Sequence, residues 1–315
     1  MLAIVKRVYG GPEVLSIQEM PIPLAQEDEV LIKVKANSAN PADWHILRGK
    51  PYFARLSFGL FKPKDPILGS DFAGIVEAKG SKVENLNIGD RVYGENLGNA
   101  FAEYLVAKEN ILAKMPIGSS FKEMAGLPIA GLTAWQALME HGKMQKGERI
   151  IINGASGGVG HFAVQIAKAH GAIVTGICSA KNRDFVLSLG ADEVLAYDEN
   201  DLQNFKDQND LILDCHGNLN HSDLKGLAKR AVLIGFTGMG HMMKLLISNM
   251  FSKYSLKQFT AAANSEDLES LARMVEHGDL KTRIHKIYPA DQIPKAIAFI
   301  EKMRTPGKVV MSWEQ

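Results

Sequence analysis

The feature that most constrains this 315-residue chain is the stretch Arg149-Ile-Ile-Ile-Asn-Gly-Ala-Ser-Gly-Gly-Val-Gly160. A short apolar run, Arg149–Asn153, ends in a glycine cluster. Apolar residues then recur at helical spacing (Val159, Phe162, Ala163, Ile166, Ala167), with Gly171 as the stop. This order predicts a buried strand, a tight loop and a helix over 158–170. The first turn of a helix leaves unpaired N–H groups and partial positive charge, which suits a pyrophosphate. Gly157 permits close approach of backbone to phosphate, and Gly160 permits close packing of helix on strand. The first glycine of the G-x-G-x-x-G pattern is replaced by Ala155. The same letters also spell G-x-S-x-G, the nucleophile elbow of hydrolases, with Ser156 as nucleophile and Asp214 followed by His216 or His285 downstream. A serine esterase is therefore an alternative reading. The next strand, ending about twenty residues on, favours the dinucleotide.

The period of the pattern changes along the chain. Val30, Ile32, Val34 and Ala36 alternate with polar residues within Glu29–Asn37. Phe72–Ala78 and Phe101–Ala107 add strand-like runs separated by Gly-Asp and Gly-Asn turns. Helical spacing is scarce before residue 120, so this half reads as mostly antiparallel β. Beyond it, strands are expected at Ala172–Cys178, Asp210–Cys215 and Ala231–Phe236, with a helix at Arg183–Leu189. Further helices are expected from a Ser265 cap to Gly278 and over Asp291–Met303. Strand and helix alternating at this spacing predict a parallel, doubly wound sheet.

Composition excludes several classes. Lys+Arg 36 against Asp+Glu 35 leaves a net charge of +1, too little excess to grip a phosphate backbone, so no nucleic acid is expected as partner. Cys178 and Cys215 are too few for a disulfide scaffold or a four-thiolate zinc site. The nine histidines, His45 and His161 among them, show no metal-ligand spacing. The uncharged stretches 124–139 and 150–167 are broken by glycine and proline, and the apolar start Met1–Val8 is too short for a signal peptide. The expectation is a cytoplasmic protein with no membrane partner.

Several further segments carry a resemblance. Pro66-Ile-Leu-Gly-Ser-Asp-Phe-Ala-Gly-Ile-Val76, Gly89-Asp-Arg-Val-Tyr93, Gly126-Leu-Pro-Ile-Ala-Gly-Leu-Thr-Ala-Trp135, Ser188-Leu-Gly-Ala-Asp192 and Gly307-Lys-Val-Val310 resemble the medium-chain dehydrogenase/reductase family, closest to its zinc-independent NADPH:quinone oxidoreductase branch. The resemblance implies an α/β fold in which a Rossmann doubly wound parallel sheet, about 122–267, is inserted in a GroES-like mostly-β domain formed by 1–121 and the return segment 268–315. It also implies a homodimer, paired through the sheet edge at Ser255–Ala263.

The departures from the zinc-dependent members bear on chemistry. Asn40 stands where those enzymes carry a cysteine ligand, Ala42 at the relay hydroxyl, and Gly69-Ser70-Asp71 in place of Gly-His-Glu. The third ligand position falls near Leu127-Pro128. No metal is expected, because zinc needs thiolate, imidazole or carboxylate in a tetrahedral array. A quinone or an α,β-unsaturated carbonyl, which spreads the charge left by hydride attack, is then the expected substrate. Asn40 and Tyr52 are the candidate catalytic residues, with turn-holding and packing as their structural alternatives.

Coenzyme choice is read at the end of Ala172–Cys178. Ser179 stands where NAD-binding domains place a carboxylate on the ribose, and Ser179-Ala-Lys-Asn-Arg183 offers a hydroxyl, an amide and two cations. NADPH is the expected coenzyme. Ser179, Lys181, Asn182 and Arg183 would hold the 2′-phosphate, together with Tyr197 on the strength of the resemblance. The resemblance adds Thr133, Ala155, Ser156, Gly157, Gly158, Val159, Ile234, Phe236 and Lys308 as cofactor-binding positions. A non-catalytic NADPH-binding protein is a second alternative, since fold alone does not fix function.

Overall fold

A computed structural model describes residues 1–199, 209–234, 239–250, 252–302 and 305–314, and leaves aside the side chains of 239, 242 and 246. Phe236 and Met303 lie outside these residues. The chain divides into two compact units: Met1–Ala130 with Ala263–Gly278 and Thr282–Gln315, and Gly131–Ala262 with Asp279–Lys281. The division falls at 130/131 and 262/263, and Asp279–Lys281 also join the second unit. The first boundary lies inside the helix Pro128–Trp135, where no change of period marks it.

The first unit is built on a seven-stranded sheet in the order Ile284–Pro289, Lys308–Ser312, Glu29–Ala39, Asp71–Lys79, Arg91–Glu95 and Leu112–Lys114, with Tyr104–Lys108 also paired to Glu29–Ala39. Pairing is antiparallel except between the first two strands. The long strand Glu29–Ala39 begins with the expected alternation, burying Val30, Ile32, Val34 and Ala36. From Ala36 onward every residue is buried, and the helices Phe121–Ala125 and Ile293–Ile300 both pack against this strand. Apolar clusters of buried residues pack against the sheet. One gathers Val30, Ile32, Phe72, Val92 and Leu105; another gathers Leu47, Leu68, Phe101, Ile293, Ile297 and Met311.

Two short helices, Pro41–Arg48 and Arg55–Phe58, interrupt the mostly β early half, and Phe121–Ala125 follows it. The first was legible from its ends. Asn40 is its N-cap, Pro41 occupies the first turn, Asp43 Oδ2 accepts from the Asn40 N–H at 2.7 Å, and Gly49 closes it at φ 57°. At the other end of the chain the N-cap of Ser265–Glu276 is Asn264, one residue before the expected Ser265, with Asp267 N–H donating to its Oδ1 at 2.8 Å. The last expected helix splits into a 3₁₀ turn Ala290–Gln292 and an α-helix Ile293–Ile300.

The second unit holds a six-stranded, all-parallel sheet ordered Glu193–Ala196, Ile173–Cys178, Arg149–Asn153, Asn209–Asp214, Ala228–Leu233, Ser255–Gln258. In chain order this is 3-2-1-4-5-6, the order of a Rossmann sheet, with its topological switch between Arg149–Asn153 and Asn209–Asp214. Ile150, Ile151 and Ile152 are wholly buried, as expected of a strand covered on both faces. Asn220, which forms a glycosylation-type triplet with Ser222, instead caps the helix His221–Leu227 by accepting from Asp223 N–H at 3.0 Å.

Candidate active site

In the second unit the glycine loop connects Arg149–Asn153 to the helix Gly160–Ala169, two residues shorter at its start than expected. The N–H groups of Gly154 and Ala155 both donate to Ile177 O at 3.0 Å, fixing the loop to the adjacent strand. Ala155 is wholly buried against Gly176, so a small residue meets the packing need of this position. A Cβ on Gly160 would stand 2.1 Å from Gly154 O, which is why the helix can start so close to the strand. The N–H groups of Ser156, Gly158 and Val159 donate to no acceptor among the described residues. With a ten-residue helix behind them they form a fitting cradle for a dinucleotide's pyrophosphate.

The expected 2′-phosphate residues gather beyond Ile173–Cys178. Ser179 precedes a 3₁₀ turn Ala180–Asn182, and Arg183 opens the next helix. Asn182 Nδ2 donates to Ser156 Oγ at 3.1 Å, tying this turn to the glycine loop. Lys181 and Tyr197 are exposed. The structure adds two carboxylates that sequence reasoning missed. Asp198 Oδ1 accepts from Ala180 N–H at 2.8 Å, and Glu199 is ion-paired with Arg183. The parallel register, which sets Ala196 beside Cys178, brings the residues after both strands together, and no local sequence signal announces it. Ile234 follows Ala228–Leu233, and Thr133 is buried in Pro128–Trp135.

The esterase constellation is not assembled. Asp214 Oδ1 accepts from Asn153 Nδ2 (2.8 Å) and from the N–H groups of His216 (3.1 Å) and Gly217 (2.8 Å), so this carboxylate shapes a turn rather than orienting a histidine. His216 is exposed, and Ser156 bonds only to Asn182 among the described side chains.

In the first unit, Asn40, Asp43, Ser70, Asp71 and Lys308 form one buried polar network, none more than 3% exposed. Asn40 Nδ2 donates to Asp71 Oδ2 at 2.8 Å, and Lys308 Nζ donates to Asn40 Oδ1 at 2.5 Å and reaches Asp71 Oδ2 at 3.5 Å. Asp71 Oδ1 accepts from Ile129 N–H at 2.9 Å, and Ser70 Oγ donates to Asp43 Oδ1 at 2.9 Å. Glu95, opposite Asp71 in the sheet register, has Oε2 buried without a partner. Burial pushes the Asp43 carboxyl up to about 7 and Glu95 to about 8; it raises Asp71 and lowers Lys308. Of the candidate catalytic residues, Asn40 thus has both side-chain atoms engaged within this network. Tyr52 is 66% exposed, with the Arg55 guanidinium 5.0 Å from its ring centre. Lys308, expected at the cofactor, has its ammonium turned onto Asn40 and Asp71.

Residues 26–117 match the alcohol dehydrogenase GroES-like domain, and residues 189–311 match the zinc-binding dehydrogenase family. The chain is 34% identical to the chloroplast envelope quinone oxidoreductase homolog of Arabidopsis thaliana, over 96% of this chain and 95% of that protein. Its fold superposes on the quinone oxidoreductase from Coxiella burnetii with a TM-score of 0.88 at 30% identity, covering 99% of both chains. On the Escherichia coli quinone oxidoreductase complexed with NADPH the TM-score is 0.83 at 26% identity, covering 99% of this chain and 100% of that one. The residues here do not fit the zinc that one family description implies. Asn40 offers an amide, Ser70 donates to Asp43, and an ammonium group lies against the same Asn40 and Asp71. Among the described residues no three His, Cys, Asp or Glu side chains converge as a ligand set. With matching sequence over nearly its whole length and a shared architecture, the chain belongs to the medium-chain dehydrogenase/reductase family of oxidoreductases, in its quinone oxidoreductase branch.

Proposed function

We propose that this protein reduces quinones or α,β-unsaturated carbonyls with NADPH and without a metal. The observation that carries the coenzyme assignment is the Asn182–Ser156 contact. It joins a loop of free N–H groups to a turn bearing Ser179, Lys181 and Arg183. NADPH supplies the hydride when bound. Ser156, Gly158 and Val159 hold the pyrophosphate through backbone N–H groups, and Arg183 exchanges Glu199 for the 2′-phosphate. A conjugated acceptor spreads the incoming charge onto an enolate or hydroquinone oxygen, so hydrogen-bond donors replace the Lewis acid that alkoxide chemistry requires. Asn40 acts here as a positioning residue that keeps Lys308 and Asp71 in register. The proton that completes the reduction is assigned to no side chain.

A homodimer paired through the edge strand Ser255–Gln258, whose outer side has no partner strand among the described residues, belongs to the same proposal. The test is NADPH oxidation at 340 nm against a panel of quinones and enones, with NADH in parallel and zinc determined on the same sample. Metal-free turnover with at least about tenfold preference for NADPH supports the reading, the preference following from charge-assisted bonds of ~1.5–3 kcal/mol each. Equal or better kcat/KM with NADH removes the coenzyme assignment. NADPH binding without turnover of any acceptor would favour the non-catalytic alternative.

A further inference from the structure

From residue 44 to residue 64 the chain contains no aspartate or glutamate, yet it carries Arg48, Lys50, Arg55, Lys62 and Lys64. Among the described residues only Arg48 of these is paired with a carboxylate, that of Glu301. Lys50, Lys62 and Lys64 are exposed and pair with no carboxylate among the described residues. Between these cations lie Tyr52, Phe53, Leu56, Leu60 and Phe61, exposed by 66, 53, 79, 54 and 90%. Five large apolar side chains facing water within ten residues is a density reached nowhere else among the described residues.

This outward face has a built support. Phe58 turns inward and packs on the core of Leu47, Leu68 and Ile293. Tyr9 Oη donates to Gly59 O at 2.5 Å, Arg55 Nε donates to Gly49 O at 3.0 Å, and the Arg55 guanidinium lies 4.3 Å from the Tyr9 ring centre. The chain reverses at Gly59, whose φ is 112° and whose missing Cβ leaves room for Lys62 O. Lys64 N–H then donates to Phe58 O at 2.7 Å. The loop is thus anchored from below while its apolar side chains project.

We infer that residues 50–64 form a docking surface for an anionic lipid bilayer, with Phe53, Leu56, Leu60 and Phe61 entering the headgroup–acyl boundary and Lys50, Lys62 and Lys64 contacting anionic headgroups. Apolar and aromatic side chains flanked by unpaired cations, without acids, match the chemistry of that boundary. A second copy of the chain seated patch against patch is a poor occupant, because it would oppose like charges. No helix among the described residues is long and apolar enough to cross a membrane. The inference therefore revises the expectation of no membrane partner only as far as adsorption.

The test is sedimentation of the full chain with phosphatidylcholine vesicles, with and without about 30% phosphatidylserine, at low and high salt. The expected result is salt-sensitive binding that needs phosphatidylserine. It should fall at least about tenfold in Lys62→Glu/Lys64→Glu and in Phe53→Ser/Leu56→Ser/Phe61→Ser, with the far-ultraviolet circular dichroism spectrum unchanged. Independently of those variants, Phe61→Trp should shift its emission to the blue on adding the anionic vesicles and be quenched by brominated lipid. No binding to phosphatidylserine vesicles, binding untouched by either multiple variant, an unshifted tryptophan, or a dimer that the triple serine variant abolishes would each overturn the inference.

Discussion

Replacing Lys308 by methionine tests the buried network directly. Lys308 is 3% exposed, and its ammonium is the only cation hydrogen-bonded to Asn40 and Asp71 among the described residues. Methionine keeps most of the side-chain volume but leaves Asn40 Oδ1 without its donor. Asp71 is left with two neutral donors, Asn40 Nδ2 and Ile129 N–H. Removing one partner of a buried ion pair costs about 3–5 kcal/mol, because the remaining charge must stay buried uncompensated or take up a proton. The double variant Asp71→Asn/Lys308→Met removes the orphaned charge and should recover at least about 1–2 kcal/mol. Urea unfolding followed by tryptophan fluorescence is the assay, since Trp44 and Trp313 both pack on the core of this unit.

The pH dependence gives a second reading of the same site. Asp43 and Glu95 have folded pKa values of about 7 and about 8 against ordinary values of 3.8 and 4.5. Between these limits the folded state binds more protons than the unfolded state. Their contribution is therefore fully present below pH 4 and is lost as pH rises through 7 to 8. Loss of Lys308, whose charge lowers all three carboxyls, should steepen that decline. A Lys308→Met protein within about 1 kcal/mol of the parent at pH 7, with a parallel pH profile and no coupling to Asp71→Asn, would refute the account of the network.

Further outcomes are expected in the second unit. Gly160→Ala should cost about 1–3 kcal/mol, because its Cβ meets backbone at 2.1 Å and the helix must move away from the loop; an unchanged Tm would show that the close packing is not required. Ser156→Ala should weaken NADPH binding by about 1 kcal/mol, or roughly fivefold in Kd, through the freed Asn182, while covalent labelling of Ser156 by a fluorophosphonate would return the loop to hydrolase chemistry. Glu199→Gln should raise kcat/KM for NADPH by up to about fivefold and leave NADH unchanged, since the exposed ion pair holding Arg183 is weak and competes only modestly with a phosphate; Ser179→Asp/Arg183→Ala should reverse the preference altogether. An NADPH to NADH ratio unmoved by either change would separate Arg183 from the 2′-phosphate.

Features that depend on neighbours along the chain are legible in the sequence. The strand–glycine–helix order around Ala155, the parallel strands of the second unit and the alternation of Val30, Ile32 and Val34 are set by side-chain period and by glycine's backbone freedom within a few residues. The helix Pro41–Arg48 was equally local, signalled by its Asn40 cap, Pro41 and Gly49, but it was hidden inside a stretch dominated by strand patterning. Which distant groups meet is set by the packing of one element on another. Lys308 meets Asn40 across 268 positions and Asp71 across 237, and Arg183 finds Glu199 only because two parallel strands end in register. Hydrophobic period reports which face of an element turns inward, but it carries no information about which element comes to lie against that face. A buried charge must find its partner in that second element or take up a proton.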